Sequence, residues 1–149
     1  MRVILQRVKH ASVTVDHQIT GQINQGLLAL VGFEPEDTKE DFEWIAKKIT
    51  QLRIFNDENE VMNLDLQQVN GEILVVSQFT LHASTKKGNR PSYIKASKPD
   101  VALAQYNQFL SVLKSIKNEI QTGIFGADMK VDLLNDGPVT IFIDSKNKE

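Results

Sequence analysis

Hydrophobic and polar positions alternate from the first residues of the chain. Val3, Leu5 and Arg7 interleave with Ile4, Gln6 and Val8, and ASVTVD (11–16) alternates again, so the first sixteen residues are predicted to form two short strands. Residues 17–20 are polar and Gly21 punctuates them. GLLALVGF (26–33) is continuous enough for a strand buried on both faces. Asp37-Thr38-Lys39-Glu40 fits a capping box, with Asp37 as N-cap and Glu40 at N3. Phe42, Ile45, Ala46, Ile49 and Leu52 then recur at helical spacing, which predicts an amphipathic helix over 38–53.

Residues 56–72 are a polar excursion, read as a hairpin or long loop closed at Asn70-Gly71. EILVVSQFTL (72–81) is the strongest strand pattern in the chain, and residues 82–98 are loop-like. Pro99-Asp100 opens a second helix, with Pro in the first turn where its missing N–H is not needed. Tyr106, Phe109, Leu110, Leu113, Ile116 and Ile120 form its apolar stripe, and Gly123 stops it. MKVDLLN and VTIFI supply the last strands, and SKNKE reads as a frayed tail. The pattern predicts a mixed α/β domain whose helices pack on a curved sheet. Two helices cannot cover both faces of such a sheet, so part of it must cover itself or be covered by a partner chain.

Composition changes this picture mainly by exclusion. A chain of 149 residues fits one domain. With 41% hydrophobic and 24% charged residues and a formal net charge of −2, it has no general affinity for nucleic acid, and no DNA partner is expected. The absence of cysteine excludes disulfides, thiolate nucleophiles and Cys-based metal sites. Arg2 and Arg7 interrupt the N-terminal apolar pattern, so no signal-peptide core is read there, and the longest apolar run is too short to span a bilayer. A soluble cytoplasmic protein with no membrane partner is the default expectation.

Three stretches carry candidate chemistry. SQFTLHAS places Gln78, Thr80 and His82 on one face of the predicted strand and Ser77, Phe79 and Leu81 on the other. Thr80 and His82 could form a nucleophile and its base, but neighbours on one strand face rarely reach the needed hydrogen bond, and no nearby carboxylate orients the imidazole. A strand turning polar at its tip is the plainer alternative. His10, His17 and His82 show no metal-ligand spacing and are read as surface histidines, with no metal and no cofactor. KKGNRPSYIKASK (86–98) carries Lys86, Lys87, Arg90, Lys95 and Lys98 without an acid. It is either a solvated loop or a local contact for phosphates, with Tyr93 as a stacking or core residue. DGPVT (136–140) is a turn on local grounds; a cis bond before Pro138 would instead hold two successive carbonyls in one direction.

Ser77-Gln78-Phe79-Thr80-Leu81 together with Asn135-Asp136-Gly137-Pro138-Val139-Thr140 closely resembles the D-aminoacyl-tRNA deacylase family. MRVILQRV, KGNRPSY and TGIFGADMKVDL (122–133) fit the family pattern in order, over essentially the whole chain, with Tyr93 standing where a Phe is usual. The resemblance implies a single-domain, three-layer α/β fold with a mixed sheet curved on itself and two main helices. It implies a homodimer in which Gly137-Pro138, through a cis peptide, enters the active site of the other subunit, braced by Arg7. The implied reaction is hydrolysis of the ester between a D-amino acid and the terminal ribose of tRNA. Its implied catalytic segment is Ser77, Gln78, Phe79 and Thr80, with N–H groups there holding the oxyanion and the substrate 2′-hydroxyl assisting. Lys86, Lys87 and Arg90 are assigned to the tRNA backbone. Steric rejection of L side chains would admit many D-amino acids and glycine. The rival readings are a non-catalytic tRNA-binding module, a Thr80/His82 hydrolase of small esters, and a structural dimer with no ligand.

Overall fold

The computed structural model describes residues 1–149. Eight strands and two α-helices run in the order β1 (Arg2–Val15), β2 (Gln18–Ile23), β3 (Gly26–Gly32), α1 (Lys39–Gln51), β4 (Phe55–Asn56), β5 (Met62–Leu64), β6 (Glu72–Ser77), α2 (Pro99–Ile116), β7 (Gln121–Thr122) and β8 (Lys130–Asp144). The main sheet has the order β2-β1-β3-β6-β7, with β8 paired to β1 and β4-β5 forming a separate hairpin. β3, β6 and β7 are parallel; β1 is antiparallel to β2, β3 and β8.

The first sixteen residues form one long strand and not two. Its register shifts around the exposed pair Lys9-His10, so the break in alternation is a bulge within a continuous ladder. After the turn at Asp16 and His17, both at positive φ, the polar segment from Gln18 pairs back on β1 as a strand that hydrophobic periodicity missed. β3 is buried on both faces, as its apolar run predicts. One face of the sheet, with Val3, Leu5, Leu27, Val31, Ile73 and Val75, packs against Phe42, Ile45 and Ile49 of α1 and Phe109 and Leu113 of α2. The opposite face closes on itself around Val8, Val13, Ile23, Leu28, Leu74 and Val76. β2 reaches the far edge, where a Cβ on Gly21 would sit 2.5 Å from the carbonyl of Thr122, so the sheet is nearly closed.

Several boundaries differ from the sequence expectation. The N-cap of α1 is Thr38, whose N–H donates to Asp41 Oδ2 at 2.8 Å, one residue later than the box read at Asp37 and Glu40. Asp37 serves the N-terminus instead, pairing with the Met1 amine while accepting from the Glu34 N–H at 2.9 Å. The polar excursion holds the β4-β5 hairpin, whose connection carries Glu60 at positive φ; Asn70-Gly71 does not close that hairpin but ends the following loop, the Gly71 N–H donating to the Leu66 carbonyl at 2.9 Å just before β6. α2 ends at Ile116 and not at Gly123, because residues 121–122 pair with β6 as β7 and draw Ile120 out of the helical stripe. β6 ends at Ser77, four residues early. MKVDLLN and VTIFI are one strand, β8, with a cis Gly137-Pro138 bond inside it.

Candidate active site

Two neighbourhoods hold the catalytic segment and the Gly-Pro motif singled out by sequence. The first is a cavity of about 760 Å³ at the C-terminal ends of β3 and β6. The last ladder bond there runs from the Gln78 N–H to the Val31 carbonyl at 2.7 Å, after which the chain bends into a 3₁₀ turn, Phe79–His82. The expected shared strand face of Gln78, Thr80 and His82 therefore does not exist. In its place the turn puts Phe79 out toward solvent at 55% exposure and buries His82 completely, which corrects its reading as a surface histidine; His10 and His17 are exposed. Gly32 makes this possible: a Cβ there would lie 2.7 Å from the Gln78 carbonyl oxygen.

Ser77, Gln78 and Phe79 line the cavity; Thr80 does not. Thr80 stands beside it, its hydroxyl accepting from the Gln78 side-chain amide. The first hydrogen bond of the turn runs from the Leu81 N–H to the Gln78 carbonyl, so the turn itself uses neither the Phe79 nor the Thr80 N–H. Tyr93 meets Phe79 edge to face, with centroids 5.0 Å apart, and Ile94 beside it is 91% exposed. Lys98, Phe125, Met129 and Val131 complete the wall. Of these four, only Lys98 was singled out from the sequence, as one cation of the 86–98 run. Met129 and Val131 entered only within the MKVDLLN strand and the family pattern, and an isolated Phe or Met carries no functional signal of its own.

Gly137, Pro138 and Arg7 lie apart from this cavity in the same chain. Between the pairs Gln6–Thr140 and Val8–Asn135, the four residues 136–139 stand opposite Arg7 alone, so the Gly137 and Pro138 carbonyls lie outside the ladder. Both residues are exposed. Gly137 has φ +119°, a conformation that only glycine adopts at low cost. Behind it the buried Arg7 guanidinium donates from Nε to the Asp136 carbonyl at 3.2 Å and from Nη1 to the Ile54 carbonyl at 2.6 Å and Asn56 Oδ1 at 3.2 Å. The Asp136 carboxylate is shared by Arg7 Nε at 3.3 Å and Lys9 Nζ at 3.4 Å. The Asn135 amide donates to the Arg7 and Val139 carbonyls, each at 3.0 Å, and so closes the base of the bulge. A rigid, solvent-facing loop of backbone results.

The family model described as D-Tyr-tRNA(Tyr) deacylase matches residues 4–144. The chain belongs to this family. It is 65% identical to the D-aminoacyl-tRNA deacylases of Parabacteroides distasonis and Flavobacterium johnsoniae, in each case over 100% of both chains. Among solved structures, the c-Myc DNA Unwinding Element Binding Protein superposes with a TM-score of 0.91 at 39% identity, covering 97% of this chain and 98% of that one. A probable eukaryotic D-amino acid tRNA deacylase superposes with a TM-score of 0.82 over 95% and 97% of the two chains; at 17% identity it speaks for the fold alone.

The remaining predicted contacts of this deacylase-family chain lie on the 84–92 loop, which is pinned by a bridge between Ser84 and Ser92. Lys86, Lys87 and Arg90 are exposed there, outside the cavity wall, and none of them enters an ion pair. No group of three or more His, Asp or Glu side chains is arranged to hold a metal ion. No helix is long and apolar enough to cross a membrane.

Proposed function

We propose that this chain hydrolyses the ester linking a D-amino acid to the terminal ribose of tRNA, releasing the free amino acid and tRNA, and that it accepts glycine on the same terms. The observation that carries this reading is the separation of two stiff half-sites: the Ser77–Phe79 wall of the cavity, and the exposed Gly137-Pro138 bulge held from behind by Arg7. Each half-site is unfinished within one chain. A second copy placing its bulge over the cavity would complete both, making the active species a homodimer with two equivalent composite sites.

The chemistry asks little of the protein. An aminoacyl ester is already activated, so holding it beside a water and stabilising the tetrahedral oxyanion suffices. The Phe79 and Thr80 N–H groups, which the turn leaves unused, take that oxyanion in this reading. The water supplies the hydroxyl of the released carboxylate, and its proton passes to the departing ribose oxygen with the neighbouring 2′-hydroxyl assisting. Thr80, turned toward Gln78, orders that side chain and is not the nucleophile. Selection of hand is steric: with the substrate amino group gripped by the partner's backbone carbonyls, an L side chain runs into the bulge and a D side chain points away. The exposed lysines and arginine of the 86–98 run receive the tRNA phosphates.

The test is deacylation of matched D- and L-aminoacyl-tRNA by the wild type and by a Pro138→Ala variant shown to be folded. The wild type should cleave the D ester and spare the L ester, and the variant should lose most of that difference. Binding of tRNA without turnover of either ester would replace this reading with the non-catalytic one.

A further inference from the structure

Every buried side-chain polar atom of this chain that lacks a hydrogen-bond partner belongs to His82, Ser97 or Gln105: both ring nitrogens, Oγ and Oε1 respectively. All three side chains are at least nine-tenths buried. They converge on one place, the end of β3 and the residues that follow it. The Ser97 N–H donates to the Phe33 carbonyl at 2.9 Å, the Gln105 amide donates to the Glu34 carbonyl at 3.0 Å, and the His82 ring lies 3.1 Å from where a Gly32 Cβ would be. An unbonded imidazole in a core costs stability that an isosteric apolar side chain would not. Such departures from good packing practice gather at working sites.

His82 is the last residue of the turn that presents Phe79 and Thr80. Its Nδ1 lies 3.7 Å from Glu34 Oε2, beyond hydrogen-bond range. Glu34 in turn stands 3.9 Å from the Met1 amine, which is locked to Asp37 and to Ser145 Oγ. On the other side of the turn, Arg2 Nη1 donates to the Leu81 carbonyl at 3.0 Å while its Nε pairs with Asp144 at 2.9 Å. The turn is thus gripped from outside by Arg2 and wedged from inside by His82 between the Gly32 backbone and Glu34.

Resting on the hydrolytic reading above, we infer that His82 is a positioning residue: its imidazole, wedged against the bare backbone of Gly32 with the Glu34 carboxylate 3.7 Å away, sets the height and direction at which the turn holds the Phe79 and Thr80 N–H groups at the edge of the cavity. The ring touches no substrate and takes no part in bond making. Its contribution is polar and directional, so filling its volume is not enough.

Three variants separate these possibilities: His82→Leu, which keeps the volume; His82→Gln, which keeps a neutral polar group able to reach Glu34; and Glu34→Gln. For D-aminoacyl-tRNA, His82→Leu should lower kcat at least about tenfold with KM within about threefold, and His82→Gln should recover most of that loss, since interactions made only in the transition state act on kcat. Glu34→Gln should resemble His82→Leu, and the double variant should be no worse than either single one. In the amide NMR spectrum, Phe79 and Thr80 should shift in His82→Leu and not in His82→Gln, whether or not the wild type turns over the ester. Thus an inactive wild type would remove the functional reading, while unmoved Phe79 and Thr80 amides, or full kcat in His82→Leu, would overturn the role given to His82.

Discussion

At the scale of single residues, Arg7 and Gly137 make the clearest case. Arg7 is buried, yet its guanidinium meets two backbone carbonyls and a side-chain oxygen on different segments, a fork geometry that an ammonium cannot reproduce. Arg7→Lys is expected to destabilise the chain by about 1–3 kcal/mol, since it leaves buried acceptors without donors. It should also erode D-over-L selectivity more than ester cleavage; a denaturant titration beside paired deacylation assays reads both. Gly137→Ala should go further and abolish deacylation, because its Cβ would lie 2.8 Å from Arg7 Nη2 at a φ that alanine rarely adopts, so the bulge as a whole must shift. Thr80 separates two mechanisms. Thr80→Ala should cost less than removing the substrate 2′-hydroxyl, and full cleavage of a 2′-deoxy substrate alongside a dead Thr80→Ala would exchange their roles. For Lys86, Lys87 and Arg90, replacing each by Gln should lower the slope of log affinity against log salt by about 0.7 per lost contact on single-stranded tRNA ends. An unchanged slope would return them to the status of a solvated loop.

At the scale of elements, the sequence was legible where burial followed a single period and illegible where tertiary contacts set the boundary. β3, α1 and the start of α2 announced themselves through apolar runs, helical spacing and Pro99. The turn at 79–82 did not, because QFTL continues a strand-like pattern and only Gly32, distant in sequence, lets the chain fold across. The motif residues could be picked out by resemblance, but their faces could not be assigned by period, and His82 was misplaced for that reason. The bulge in β8 was half legible: Gly137 and Pro138 forecast an interruption, while its placement inside one continuous ladder depended on β1. The capping box of α1 shifted by one residue because Asp37 had a stronger partner in the Met1 amine. Burial works against the ionised form of Asp41, but hydrogen bonds from Lys146 and the Thr38 N–H more than offset it and hold its pKa well below the usual carboxylate value. A carboxylate depressed on folding stabilises fully above its unfolded pKa near 4 and loses that contribution as pH falls further. Melting temperature should therefore decline below about pH 4, and Asp41→Asn should lower it near pH 6 while flattening that acid limb. An unaltered acid limb in the variant would assign the effect elsewhere.

At the scale of the molecule, the expectation from the element count that part of the sheet lacks helical cover has a two-part answer. One face is covered by both helices and the other by the sheet's own curvature, which no local pattern encodes. What stays open is the outer edge of β8, a long strand with no neighbour beyond it and with Leu134 and Phe142 about half exposed. Long unpaired edges with apolar side chains call for a partner, and this edge carries the Gly137-Pro138 bulge. Phe142→Lys should weaken self-association in sedimentation experiments and reduce activity in step with dimer content. Activity that survived in a monomer would detach the chemistry from assembly.

The most direct measurement mixes two inactive variants: Gly137→Ala, with an impaired bulge, and Phe79→Ala, with an impaired cavity wall. If each cavity is completed by its neighbour's bulge, subunit exchange brings an intact cavity to an intact bulge in every mixed dimer, and about a quarter of the wild-type deacylation of D-aminoacyl-tRNA should return by random pairing. Exchange verified by mass spectrometry with no recovery of activity would mean that cavity and bulge act within one chain or not together at all, contradicting the account.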